Sequence, residues 1–110
     1  MSEISRLISS FKKKEVDQIF KASKKRIKKQ GLEIILAPKI LDFGRILVIT
    51  SRKTGSAPKR NKVRRRLKSI FYEDKLFSLG YDCVIVVRQN FAINLSFLEL
   101  KEILNSVFQL

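Results

Sequence analysis

The sequence predicts an α+β domain: an α/β sandwich with helices packed on a small mixed sheet. The expected order is αββ(β)αβα, the bracketed element being a further short strand near residues 26–28. Three observations carry this prediction. Apolar runs of strand length recur at residues 32–36, 46–50 and 83–87. Elsewhere, apolar residues fall at spacings of three and four, the period of a helix face. The chain has 110 residues, which allows one domain and argues against two.

Val16, Ile19, Phe20 and Ser23 share helical spacing and place a first helix over residues 11–24. A lysine-rich run over residues 24–29 follows, with Gly31 as punctuation. Residues 32–36 make a short strand closed by Ala37 and Pro38. Pro38, Asp42 and Gly44 make residues 38–45 a turn region. The β-branched run 46–50 reads as the next strand, and Gly55, Ser56 and Pro58 mark residues 51–58 as a loop. Val63, Leu67, Ile70, Phe71 and Phe77 keep helical spacing over residues 59–79. Pro58 suits the opening of that helix and Gly80 its C-terminal cap. The run 83–87 is apolar almost throughout, as a strand buried on both faces must be. Ser96 and Glu99 fit a capping box, Leu95 can staple to Leu100, and Ile103, Leu104, Val107 and Phe108 continue a buried face.

Composition removes several function classes. There is no histidine, which excludes Ser-His-Asp triads, histidine acid–base catalysis and histidine-bearing zinc sites. The single cysteine, Cys83, excludes an intramolecular disulfide and a cysteine-rich metal cage, and its apolar setting marks a buried strand thiol. The first eight residues lack the continuous apolar core of a secretory signal, and no apolar run approaches the ~20 residues that span a bilayer. A soluble, cytoplasmic protein is therefore expected. Hydrophobic residues make up 45% of the chain, enough for a core, so this is not a disordered basic tail.

Lys and Arg total 24 against 10 Asp and Glu, a net charge of +14. Self-repulsion at that charge opposes compaction, which points to an external polyanion. The excess sits in two segments: residues 1–30 carry +7 and residues 52–68 carry +9, the latter without a single acid. At about 100° per residue, Val63, Leu67, Ile70 and Phe71 form one stripe of the third element, and Asn61, Arg65 and Lys68 cluster opposite. Arg64 flanks that cluster, Arg60 projects from the first turn, and Lys62 and Arg66 lie on the other shoulder. No carboxylate within the cluster can pair these cations at i,i+4. Positive charge near a helix N-terminus opposes the macrodipole, unless phosphate oxygens occupy the site. Nucleic acid is the expected partner, because a membrane surface would want the apolar stripe that the core needs. The absence of a helix-turn-helix, zinc-finger or basic-zipper pattern favours RNA.

Two stretches carry a family resemblance: Ser51-Arg52-Lys53-Thr54-Gly55, then Arg60-Asn61-Lys62-Val63-Arg64-Arg65-Arg66-Leu67-Lys68. They resemble the signature of the bacterial ribonuclease P protein component, a Ser-Lys-Lys-x-Gly stretch followed by an Arg-Asn-Arg motif along a helix. Residues 14–20, 81–88 and 96–100 resemble the flanking elements in the same order, so nearly the whole chain is covered. Departures are Val16 for a usual Phe, Lys62 for the third motif Arg, and Ser69 for a Glu. Lys62 forgoes bidentate phosphate recognition.

The resemblance implies one RNA-binding domain over residues 1–110, with a left-handed crossover around the motif helix. It implies a cleft between the sheet and the first helix for the single-stranded 5′ leader of precursor tRNA. Val16 and Phe20 would line that cleft, with Ser51, Arg52 and Lys53 near it and Phe43 a candidate aromatic to offset Val16. Arg60, Asn61, Lys62, Arg64, Arg65 and Lys68 would meet the catalytic ribonuclease P RNA. That RNA would perform the hydrolysis, with Mg²⁺ held mainly by the RNA, and the polypeptide would contribute no catalytic residue. The alternative is a structural RNA-binding protein such as a small ribosomal protein. A self-sufficient nuclease is disfavoured, since no clustered carboxylates stand ready to hold two metals.

Overall fold

Two strands of this chain are apolar on both faces, and one four-stranded sheet buries them in its middle. The computed structural model describes residues 11–109. The stretch read above for a secretory signal lies outside those residues. The strands are β1 (Lys25–Lys29), β2 (Leu32–Pro38), β3 (Ile46–Ile49) and β4 (Tyr81–Val87), in the spatial order β1-β2-β4-β3. β2 runs antiparallel to both its neighbours, whereas β3 is parallel to β4. A parallel pair needs a crossover, and the long helix α2 (Ala57–Glu73) supplies it. Helices α1 (Lys13–Lys21) and α3 (Phe97–Phe108) complete the fold.

Alternation along the strands divides the core in two. On one face, Ile34, Leu36, Ile46, Cys83 and Ile85 pack with Val63, Leu67, Ile70 and Phe71 of α2 and with Leu100, Leu104 and Phe108 of α3. On the other, Ile35, Ala37, Val84 and Val86 pack with Ile19 of α1, and Phe20 and Leu47 close the edges. Cys83 is fully buried, as expected, and burial pushes its thiol pKa up. Phe43 packs against the α2–α3 face, so it does not offset Val16.

The capping box that heads α3 forms as read. Ser96 Oγ accepts the Glu99 N–H at 3.1 Å, and Glu99 Oε1 accepts the Ser96 N–H at 3.0 Å. The short basic strand is real and runs one residue beyond its expected bounds at each end. Two helices are shorter than expected. α1 stops at Lys21, so Ser23 is not on it; the chain turns there and the Lys24 N–H bonds the Leu36 carbonyl, entering the sheet. α2 ends at Glu73, because Lys75 adopts a left-handed conformation and starts a separate 3₁₀ turn, Leu76–Ser78. That reversal buries Leu76. Phe77 therefore lies off the α2 stripe, stacked on Tyr72 at 5.7 Å, and Gly80 leads into β4 instead of capping a helix.

Candidate nucleic-acid interface

Register places two cross-strand rows on the α1 face of the sheet. Arg26, Ile35, Val84 and Leu47 form one row, and Lys28, Glu33, Val86 and Ile49 form the next. Ile19 and Phe20 cover the middle of these rows. Their ends emerge: Ile49 is exposed on the β3 side, and Arg26 and Lys28 are exposed on the β1 side. Ile35 and Val84 are fully buried beneath α1, so the accessible apolar floor is Leu47, Ile49 and the edge of α1, with cations beyond it on the β1 side. Val16 and Phe20 stand one turn apart on α1, both half-buried, and share its rim.

The basic end of the floor is organised by Glu33, which is only 3% exposed. Its Oε1 accepts hydrogen bonds from Arg88 Nε at 2.9 Å and Nη2 at 2.6 Å, and its Oε2 lies 3.8 Å from Arg26 Nε. The Arg88 bonds outweigh the desolvation and hold the Glu33 carboxyl below the usual carboxylate range. Both arginine side chains keep about half their surface in solvent, so they are held in place and still accessible.

A second, deeper cluster fixes α1 to the sheet. Arg45, 2% exposed, donates from Nη1 and Nη2 to the two Glu15 oxygens at 3.0 and 2.9 Å. Asp82 Oδ1 accepts the Arg45 backbone N–H at 2.9 Å, and the Phe11 ring lies 4.4 Å from the guanidinium carbon. The Arg45 bonds hold the Glu15 pKa down at about 2. Burial pushes that of Asp82 up, against the pull of Arg45. Nothing in the sequence reading singled out this trio. The available signal was a lone arginine opening an apolar strand in a segment of zero net charge.

Along α2, Asn61, Lys62 and Arg65 are exposed, while Arg60, Arg64 and Lys68 are half-buried. Arg64 and Lys68 border the outer edge of β3 beside residues 46–48. Arg64 donates to Thr50 Oγ1 at 2.6 Å and to Asn61 Oδ1 at 3.2 Å, which fixes its direction. Arg66 donates to the Leu95 carbonyl at 3.1 Å and helps tie α2 to the start of α3. Ser69 donates to Glu73 Oε1 at 3.0 Å, so a carboxylate stands one turn beyond the position where the family motif has Glu. Ser51 and Arg52 are exposed just past β3, and Lys53 turns toward a separate depression lined also by Phe91. The structure thus groups Val16 with Phe20, and groups Ser51, Arg52 and Lys53 at the carboxyl end of β3. The motif residues of α2 border the outer edge of the same strand.

Among the described residues, no three of His, Cys, Asp and Glu come together to hold a metal ion. The carboxylates nearest the floor, Glu15, Glu33 and Asp82, are committed to arginines. No described helix is long and apolar enough to cross a membrane.

The fold has known counterparts. The family model described as Ribonuclease P matches residues 5–110. The chain belongs to the ribonuclease P protein family. The ribonuclease P protein component of Petrotoga mobilis is 33% identical over 108 residues, covering 92% of each chain. That of Mycoplasma mobile is 32% identical over 76 residues, covering 69% of this chain and 67% of its own. Among solved structures, the RNase P protein of Staphylococcus aureus superposes with a TM-score of 0.77 at 22% identity, covering 93% of each chain. The RNase P protein from Thermotoga maritima gives 0.75 at 22% identity, covering 92% of this chain and 94% of its own. The α+β class and the mixed four-stranded sheet are thus those of ribonuclease P proteins, and the ribosomal-protein alternative is set aside.

Proposed function

We propose that this chain is the protein component of a ribonuclease P ribonucleoprotein, acting in endonucleolytic maturation of tRNA 5′ ends in the cytoplasm. Family membership over nearly the whole chain carries the assignment, and the acid-free basic run 52–68 gives it a physical basis. The catalytic RNA is bound by Arg60, Asn61, Lys62, Arg64, Arg65 and Lys68. The single-stranded 5′ leader of precursor tRNA lies along the α1 face of the sheet, past Val16 and Phe20, with Ser51, Arg52 and Lys53 at the β3 end.

The physical argument for this division is complementarity. A single strand presents flat bases and spaced phosphates; the edge of α1 with Leu47 and Ile49 offers an apolar floor with cations at both ends. Stacking on an aromatic side chain such as Phe20 is worth about 1–3 kcal/mol per base, and cations add a salt-dependent term for each phosphate. Glu33 holds Arg26 and Arg88 in position, so less side-chain entropy is lost when a phosphate arrives.

Hydrolysis belongs to the RNA, with Mg²⁺ held mainly there. The engagement of Glu15, Glu33 and Asp82 with arginines suits a polypeptide that binds and orients. The test is differential affinity. The assembled holoenzyme should bind precursor tRNA bearing a leader at least tenfold more tightly than mature tRNA, and the RNA alone should show a much smaller preference. Equal preference with and without the chain contradicts the leader role.

A further inference from the structure

Phe91 is 52% exposed, just beyond the carboxyl end of β4. Isolated exposed apolar side chains are ordinary; what distinguishes this one is its surroundings. It lines an open depression of about 420 Å³, together with Lys53, Gly55, Lys59, Asn90 and Asn94. That size is in the range of small-ligand sites. No acid lines it, and all four polar side chains named are exposed.

The walls are set by two glycines. A Cβ on Gly31, whose φ is +80°, would come within 2.9 Å of Phe91 Cζ, so the ring rests directly on the β1–β2 turn. A Cβ on Gly55 would come within 2.1 Å of Ile93 Cδ1, so the loop after β3 seats closely on the 3₁₀ turn Asn90–Asn94. The ring is therefore backed by main chain. The opposite wall, carrying Lys53 and Lys59, is held at a fixed distance.

The combination of groups selects a ligand class. A half-exposed aromatic ring offers a stacking surface, two ammonium groups without a carboxylate call for an anion, and asparagine amides offer donor and acceptor together. A nucleotide answers all three. We propose that this depression holds one unpaired nucleotide of RNA, its base against Phe91, its phosphate between Lys53 and Lys59, and its edge facing Asn90 and Asn94. The site lies off the floor beneath α1: it shares Lys53 with the β3 end of the leader path and takes Lys59 from the first turn of α2. It rests on the RNA-binding function proposed above, and its nucleotide comes either from the catalytic RNA or from the substrate leader.

The experiment uses the full chain and two variants, Phe91→Leu, which keeps the apolar cover, and Phe91→Tyr, which keeps the stacking face. Three affinities are measured at fixed salt: for a short oligoadenylate, for ribonuclease P RNA, and, as holoenzyme, for precursor tRNA. One stacked base predicts that the Leu variant loses about 5- to 150-fold while the Tyr variant stays within twofold. A loss with ribonuclease P RNA assigns the nucleotide to that RNA, and a loss confined to precursor tRNA assigns it to the leader. Two results overturn the site: a Leu variant within twofold of the parent chain for all three ligands, or Leu and Tyr variants that lose equally. Thermal midpoints of both variants separate either result from misfolding. The oligoadenylate arm, read from shifts of the Phe91 ring and the Gly55 amide, needs no catalytic RNA. It therefore reports on the site even where the ribonuclease P function fails.

Discussion

Arg45 shows how much of this molecule depends on one side chain that the hydrophobic pattern does not announce. Its guanidinium is buried between Glu15 and Asp82, so the attachment of α1 to the sheet is electrostatic as well as apolar. Replacing it with Met leaves two carboxylates near the core without their cation. A loss of about 3–5 kcal/mol is expected, measured by urea unfolding, with precursor binding falling because the Val16–Phe20 rim is no longer fixed. The linkage has a definite sign. Glu15 titrates at about 2 in the folded chain against 4.5 ordinarily, so its contribution is complete above pH 4.5 and is lost as pH falls from 4.5 toward 2. Asp82 is shifted the other way and opposes this loss. Comparison with Glu15→Gln isolates the Glu15 term: the stability gap between parent and variant, of order 2 kcal/mol at neutral pH, should narrow to a few tenths of a kcal/mol by about pH 2. At the rim, Val16→Phe adds a stacking surface where the family usually has one. Affinity for leader-bearing precursor should rise several-fold in the holoenzyme, with mature tRNA unaffected.

Elements were legible where periodicity and capping agreed. α3 announces itself through Ser96, Glu99 and the stripe from Leu100 to Phe108, and all of it is present in the structure. Ser96→Ala should cost about 1 kcal/mol, read as a lowered thermal midpoint. α2 was legible at its start and misread at its end. Phe77 continues the spacing, but a left-handed Lys75 is a backbone conformation that a non-glycine residue seldom reveals in sequence. The candidate site was legible as composition and incomplete as geometry. The run 52–68 gave the cations, yet the direction of Arg64 depends on Thr50 and that of Arg88 on Glu33, partners 14 and 55 residues away in sequence. Strand register brings the second pair together, and the packing of α2 against the edge of β3 brings the first. Lys53 faces Phe91 and not Phe20 because the two short turns Arg52–Thr54 and Asn90–Asn94 seat on each other through Gly55 and Ile93. For α2, the double variant Arg65→Ala, Lys68→Ala should weaken binding to ribonuclease P RNA and flatten the slope of log affinity against log salt by about one unit per lost phosphate contact. An unchanged slope would reduce these side chains to a solvated face.

At the scale of the whole molecule, the two basic segments of the chain reach opposite edges of one sheet. β1, with its run of lysines, forms one edge, and β3, bordered by the basic face of α2, forms the other. A floor of apolar side chains lies between them on the α1 face. On the proposed reading, one RNA is held along α2 and another is guided across the sheet. Neutralising about six phosphates should make affinity for the catalytic RNA fall about a thousandfold between 50 and 200 mM salt. The most direct test of the central claim is cleavage of precursor tRNA by ribonuclease P RNA at low Mg²⁺, with and without this chain. Cleavage should rise strongly when the chain is added, and the chain without RNA should cleave nothing. Unchanged cleavage in its presence, or cleavage by the chain alone, would contradict the assignment.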